Sequence, residues 1–167
     1  MLSIVPLLLA LVLAADPFDA SAALESPSRH VRTTDPYAKK LLAKGYAHSA
    51  TFASLMARLQ RSDVIVHVEI LPRLPAAMEG RLMLLPRAHD VRYVRIQIAL
   101  RGSEEDSVAV LGHELQHACE IADAPDVGNE QQMAKLYARI GMRGGAHVFD
   151  TEAAQQAGRQ VRRELVA

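Results

Sequence analysis

Residues 103–122 are the segment that most constrains how this chain can fold, because they combine a strong helix start with two contrasting faces. Ser103 is followed by three acidic residues, which is typical of a capped helix N-terminus. The residues that recur at helical spacing on one face are apolar: Val108, Leu111, Leu115, Ala118 and Ala122. His113 and His117 lie four residues apart on another face. We therefore expect a helix that buries one face in the core and presents two imidazoles on the other.

Three β-rich segments precede this helix. Residues 64–70, 81–85 and 91–98 are rich in β-branched and alternating apolar residues, and prolines or polar residues separate them. Short links between consecutive strands favour antiparallel pairing. Arg92 and Arg95 on the third segment are interpreted as a solvated edge that discourages further pairing. The expected sheet is small, antiparallel and of about three strands.

Helical patterns also occur at both ends of this region. Asp35-Pro36 predicts a capped helix start, and apolar residues continue at helical spacing over 37–60. Two further helices are expected over 129–140 and 151–165. The predicted fold class is α+β: an N-terminal helix, the small sheet, the helix at 103–122 and two C-terminal helices.

The N-terminus has the character of an export signal. Residues 1–15 are almost wholly apolar, which suits a signal-peptide core and is short for a membrane span. We interpret 1–22 as a signal peptide, 23–35 as a linker and 36–167 as one domain. The expected location is secreted or periplasmic, with no stable membrane span after cleavage; an uncleaved N-terminal anchor is the alternative.

Charge and cysteine content argue against a nucleic-acid-binding protein and against a fold stabilised by disulfides. Lys plus Arg and Asp plus Glu both number 19, so the chain lacks the basic excess that a nucleic-acid partner requires. Cys119 is the single cysteine, so no internal disulfide can form. Its position two residues after His117 turns it away from the histidine face, and we expect it in the core.

His113, Glu114 and His117 form the motif HExxH. Because residues at i and i+4 share a helix face, both imidazoles can reach one zinc ion at about 2.1 Å. Glu114 is expected beside the metal, where it can take a proton from an activated water and pass it to a leaving amine. The motif therefore predicts a zinc cofactor with Glu114 as the catalytic residue.

The sequence of residues 111–118 reads LGHELQHA and resembles the active-site helix of the zincin metallopeptidases. The order of helix, strands and HExxH helix is also similar, and the nearest likeness is to compact, gluzincin-like bacterial proteins. The resemblance implies a zinc-dependent hydrolase that cleaves peptide or protein substrates. It also implies that the substrate backbone pairs with an edge strand of the sheet, here from the region 81–98.

A catalytic zinc site needs a third protein ligand and an open position for water. In gluzincins that ligand is a Glu from a later helix, often in the pattern E-x-x-A-D. Aligned on its Ala, this chain has Asp150 at the ligand position and Ala154 in place of the following acid. Glu152, two residues further on, is the second candidate because a small shift of the helix start would let it substitute.

Two other acids follow the motif on the same helix. Glu120 lies on the metal face, but three ligands from one straight helix rarely converge on a tetrahedral centre, so we interpret it as a support for the ligands. Asp123 would match the metzincin pattern, which needs Gly where Glu120 stands, and is disfavoured. Tyr137 and His147 could stabilise an oxyanion, but we favour a core position for Tyr137 and a surface loop for His147.

The departures at Asp150 and Ala154 also allow a different function. A catalytically inactive, zincin-like protein that binds zinc or a partner is the alternative to the hydrolase. A helical interaction domain with a fortuitous HExxH is a third hypothesis, and it predicts stability that does not depend on chelators.

Overall fold

The five α-helices and four β-strands found in residues 28–87, 89–141 and 150–167, which the computed structural model describes, confirm the α+β class. In chain order the elements are β1 (Val31–Arg32), α1 (Pro36–His48), α2 (Ala50–Gln60), β2 (Val64–Leu71), β3 (Gly80–Leu84), β4 (Arg92–Ala99), α3 (Glu104–Ala122), α4 (Glu130–Ile140) and α5 (Glu152–Val166). The predicted signal peptide and His147 lie outside the described residues.

The prediction of a three-stranded antiparallel sheet is wrong. The sheet has the order β1-β2-β4-β3; β1, β2 and β4 are parallel, and only β3 runs antiparallel to β4. Alternation along a strand reports which face is buried but says nothing about which strand lies beside it. Here β4 inserts between β2 and β3, so β3 becomes the edge strand.

The strand β1 falls within the segment that we interpreted as a linker. Val31 is fully buried and pairs with Val66, and Arg32 pairs with His67. A two-residue strand carries too little alternation to be recognised from sequence.

The predicted N-terminal helix over 37–60 is two helices rather than one. Ser49 has extended backbone geometry, with φ −133° and ψ 114°, and its hydroxyl caps α2 by accepting a hydrogen bond from Phe52 N at 3.0 Å. The same hydroxyl donates to Glu164 Oε2 on α5. A serine at an N-cap competes with helix continuation, and the contact with a distant helix decides the outcome.

Helix α3 lies against the sheet, and its start agrees with the prediction. Ser103 and Asp106 form a reciprocal capping box at its N-terminus. The apolar face predicted for it is buried: Val108, Leu111, Leu115 and Ala118 are fully buried. Helices α1, α2 and α5 pack against α3 as well.

The interpretation of Arg92 as part of a solvated edge is wrong. Because β4 is an interior strand, Arg92 is only 1 % exposed. Its guanidinium donates to both carboxylate oxygens of Asp63 and to the carbonyls of Ile121 and Ala124 at the end of α3. Arg92 therefore caps the C-terminus of α3, where the helix dipole favours a cation.

Among the described residues, no helix combines the length and the apolar character that crossing a bilayer requires.

Candidate metal centre

The two motif histidines meet one turn apart on α3, as their spacing predicts. His113 Nε2 and His117 Nε2 are 3.1 Å apart, and the rings are nearly perpendicular. Two ligands that each lie about 2.1 Å from a tetrahedral ion are separated by about 3.4 Å. The separation of the two nitrogens therefore fits a shared zinc ion.

Asp150 completes a group of three possible ligands. It lies just before the N-cap of α5, and its Oδ1 is 3.6 Å from His113 Nε2. The ligand atoms of His113, His117 and Asp150 all lie within 4.8 Å of one another. Gln155 donates to the other oxygen, Oδ2, at 2.8 Å. Oδ1 is buried and has no hydrogen-bond partner among the described residues, and such an oxygen beside two imidazole nitrogens fits a bound cation.

The structure separates Asp150 from the other predicted candidates for the third ligand. Glu152 is exposed on α5 and is not part of the group of three. Asp123 is exposed and pairs with Arg58 at 2.8 Å. Glu120 is close to His117, but it contacts Nδ1, on the opposite side of the ring from Nε2.

Glycine allows α5 to come close to α3 beside the first histidine. A side-chain carbon at Gly158 would lie 3.2 Å from the carbonyl oxygen of Ala109 and 3.3 Å from His113 Cβ. Such a close approach of two helices needs a residue without a side chain at the crossing. This packing brings the start of α5, and with it Asp150, to the histidine face.

Glu120 places a carboxylate beside His117, whereas the resemblance led us to expect an acid at position 154. Its Oε2 lies 2.8 Å from His117 Nδ1. A proton on Nδ1 would be donated to Glu120, and Nε2 would then keep its lone pair for a metal. Ala154 is buried in α5 and cannot perform this role. The carboxylate thus comes from the HExxH helix itself.

Tyr137 lies behind His117 and not over the space between the imidazoles. Its hydroxyl is 3.3 Å from His117 Nδ1 and 3.4 Å from the His117 carbonyl oxygen, and the residue is 3 % exposed. From this side of the ring it does not reach the Nε2 face, so the structure gives no support to Tyr137 as an oxyanion donor.

Burial and neighbouring polar groups shift the pKa values of His113 and Glu120. Desolvation, followed by the proximity of His117, lowers the pKa of His113 to about 4, although Asp150 and Glu120 act in the opposite direction. Desolvation tends to raise the pKa of Glu120, but hydrogen bonds from His117, Thr151 and Gln116 outweigh it and the pKa is lowered. At neutral pH a neutral His113 and an ionised Glu120 follow, which are the forms that metal binding needs.

Glu114 is enclosed between α3 and the edge strand. It is 5 % exposed, and burial raises its pKa to about 7. A side-chain carbon at Gly80, the first residue of β3, would lie 2.6 Å from Glu114 Oε1. Gly80 therefore leaves the room that the Glu114 carboxylate occupies. Our sequence analysis missed this residue, although a glycine at a strand start is a recognised sign of a close approach.

Cys119 confirms the expectation of a core thiol. It is 1 % exposed, and its thiol contacts the carbonyl oxygen of Leu55 at 3.7 Å. Desolvation raises its pKa to about 12, so the thiol is protonated at neutral pH.

Comparison of the chain with protein-family models, with curated proteins and with solved structures finds no match. The arguments about function therefore come from the geometry of these residues.

Proposed function

We propose that this chain is a zinc-dependent hydrolase with a zincin-like fold, most specifically an exported peptidase that cleaves peptide or protein substrates. His113, His117 and Asp150 would hold the zinc, and Glu114 would act as the general base. The observation that carries the proposal is the buried Asp150 Oδ1, which faces two imidazole nitrogens 3.1 Å apart and has no hydrogen-bond partner in the described part of the chain.

The residues of the site suit hydrolysis by an activated water. Bound zinc would supply Lewis acidity, which polarises a carbonyl group and makes water more acidic. The Glu114 carboxylate would take the proton from that water and deliver it to the departing amine nitrogen. Burial raises the pKa of Glu114 above its ordinary value, which favours this carboxylate as a proton acceptor.

The neighbouring surface suits an extended peptide. β3 is an edge strand, and its first residue, Gly80, contacts the side chain of Glu114. An extended chain added to this edge would therefore lie beside the general base. A groove between β3 and α4 is lined by both apolar and polar side chains, among them Leu82, Met133 and Glu130, and could receive a substrate side chain.

A second function, zinc binding without turnover, is favoured by one observation. Glu114 is 5 % exposed and lies against Gly80. A general base must meet water and substrate, whereas a zinc-binding or interaction protein has no such requirement.

The decisive experiment combines metal analysis with cleavage of an unstructured protein such as casein. We expect the purified wild-type protein to bind one zinc ion per chain and to cleave casein. Glu114→Gln should keep the zinc and lose about 10²–10⁴-fold in rate. The control is Glu104→Gln, in the first turn of the same helix, which should cleave like the wild type.

Each result has one interpretation. Zinc binding without cleavage by the wild type would contradict the hydrolase and support the binding protein. Wild-type protein that binds no zinc would contradict both functions.

A further inference from the structure

Glu120 and Thr151 connect the two chain segments that supply the candidate ligands. Glu120 Oε2 is 2.8 Å from His117 Nδ1 on α3, and Glu120 Oε1 accepts a hydrogen bond from Thr151 Oγ1 at 2.7 Å. Thr151 directly follows Asp150 in the chain. One carboxylate thus joins the ring of His117 to the residue beside Asp150.

We propose that Glu120 and Thr151 are positioning residues of the metal centre, which together orient His117 and hold the Asp150 segment against it. Neither residue would contact the metal. The inference rests on the proposed zinc site, and it adds that the affinity of this site depends on a link between α3 and the start of α5.

Both oxygens of Glu120 are engaged in this link. The Glu120 side chain is 9 % exposed, and a buried carboxylate is costly unless its oxygens are hydrogen-bonded. The ring of His117 on one side and the hydroxyl of Thr151 on the other meet this need. The orientation of the imidazole is therefore coupled to the position of Thr151.

The hydroxyl of Thr151 performs two tasks at once. It donates to Glu120, and it accepts a hydrogen bond from Ala154 N at 3.1 Å as the N-cap of α5. Because the cap sets the position of this oxygen relative to α5, the bond to Glu120 places the first turn of α5 relative to α3. Serine offers the same two bonds, whereas valine has the shape of threonine and offers neither.

The test measures zinc affinity by competition with a chromophoric chelator, and the visible absorption spectrum of the cobalt-substituted protein. We expect Glu120→Ala and Thr151→Val to weaken zinc binding by about 10–100-fold. Both should also change the cobalt bands, because His117 is no longer held. Thr151→Ser should restore affinity to within about threefold of the wild type, since it keeps the hydroxyl.

A second helix cap provides the control for the loss of stability. Asn129 caps α4 by accepting a hydrogen bond from Gln132 N at 2.9 Å, and no hydrogen bond joins it to Glu120 among the described residues. Asn129→Ala should lower the urea midpoint about as much as Thr151→Val but leave zinc affinity and the cobalt spectrum unchanged. Urea unfolding and circular dichroism establish that each variant is folded.

The inference is overturned if Glu120→Ala and Thr151→Val bind zinc like the wild type with the same cobalt spectrum. It is also overturned if Asn129→Ala weakens zinc binding to the same extent. Wild-type protein that binds zinc but cleaves nothing would refute the hydrolase and leave this inference standing, so the two failures are distinguishable.

Discussion

Two buried polar clusters lie along α3, and they differ in how fully their hydrogen-bonding capacity is used. At the C-terminal end, the guanidinium of Arg92 donates to Asp63 and to several backbone carbonyls. Around His113 and His117, the buried Asp150 Oδ1 has no hydrogen-bond partner in the described residues. Buried polar groups are normally satisfied, so the first cluster has the character of a structural cap and the second keeps capacity for a ligand.

The stability of the protein should therefore respond differently to replacement of Arg92 in the first cluster and of Asp150 in the second. The Arg92 cluster, which is saturated with hydrogen bonds, should contribute the same stability with and without metal. A cluster with an unused ligand atom should contribute stability only when a metal is bound.

The largest effect is expected from Arg92→Met. Removal of the guanidinium leaves the carbonyls of Ile121, Ala124 and Val127 without their donor. At about 1–3 kcal/mol for each unsatisfied buried group, the free energy of unfolding should fall by about 3–5 kcal/mol. The measurement is urea unfolding, and the loss should be the same with and without a chelator.

Arg95→Met on the same strand is the matched control. The Arg95 side chain is 37 % exposed and pairs with Glu69 at 3.1 Å, so its replacement should cost less than about 1 kcal/mol. Similar losses for the two variants would remove the distinction between a saturated buried cluster and an ordinary surface pair.

A smaller effect is expected from Asp150→Asn. With zinc at one hundred times its dissociation constant, the wild type should gain about 2.7 kcal/mol of stability, and the variant should lose most of this gain. Without metal the two proteins should differ by less than about 1 kcal/mol, because an amide can still accept the bond from Gln155.

Urea unfolding of both proteins with EDTA and with zinc measures this difference. Asp126→Asn, at an exposed position, should respond to zinc like the wild type. Zinc stabilisation of Asp150→Asn equal to that of the wild type would show that Asp150 is not a ligand.

The smallest effect concerns the pH dependence of the Arg92 cluster. Hydrogen bonds from Arg92 lower the pKa of Asp63 below its ordinary value of 3.8, and they outweigh the opposing effect of desolvation. A carboxyl whose pKa is depressed in the folded protein stabilises it above the unfolded pKa, and this contribution is lost as the pH falls through the folded pKa. The stability difference between wild type and Asp63→Asn should therefore be constant from about pH 5 to 7 and shrink below about pH 4.

The Asp63 side chain is 38 % exposed, so solvent screens the pair and the whole difference should stay under about 1 kcal/mol. Urea unfolding at a series of pH values provides the measurement. A difference that persists unchanged to pH 3 would show that the ion pair with Arg92 does not stabilise the fold.

Helix positions were predictable because their signals are local. The capped start at Ser103, the C-terminal helices and the placement of His113 and His117 on one face all depend on residues within a few positions of one another. Ser49 shows the limit of this reasoning, because the contact that favours a break there comes from Glu164 on the last helix.

Our interpretation of single polar residues was less successful where contacts with residues far away in the chain determine their surroundings. Alternation on β4 suggested a solvated Arg92, yet an interior strand position and the end of α3 enclose it. Glu120 was expected to support the ligands, and it contacts His117, but its second partner, Thr151, could not be foreseen.

The sequence by itself determined the α+β class, the helix that carries HExxH and the pairing of the two imidazoles, because helical periodicity places residues four apart on one face. Only the tertiary structure decided the order and direction of the strands, and that Asp150 rather than Glu152 lies beside the two imidazoles. The physical reason is that these features depend on where α5 and β4 lie against α3, and such contacts join residues far apart in the chain.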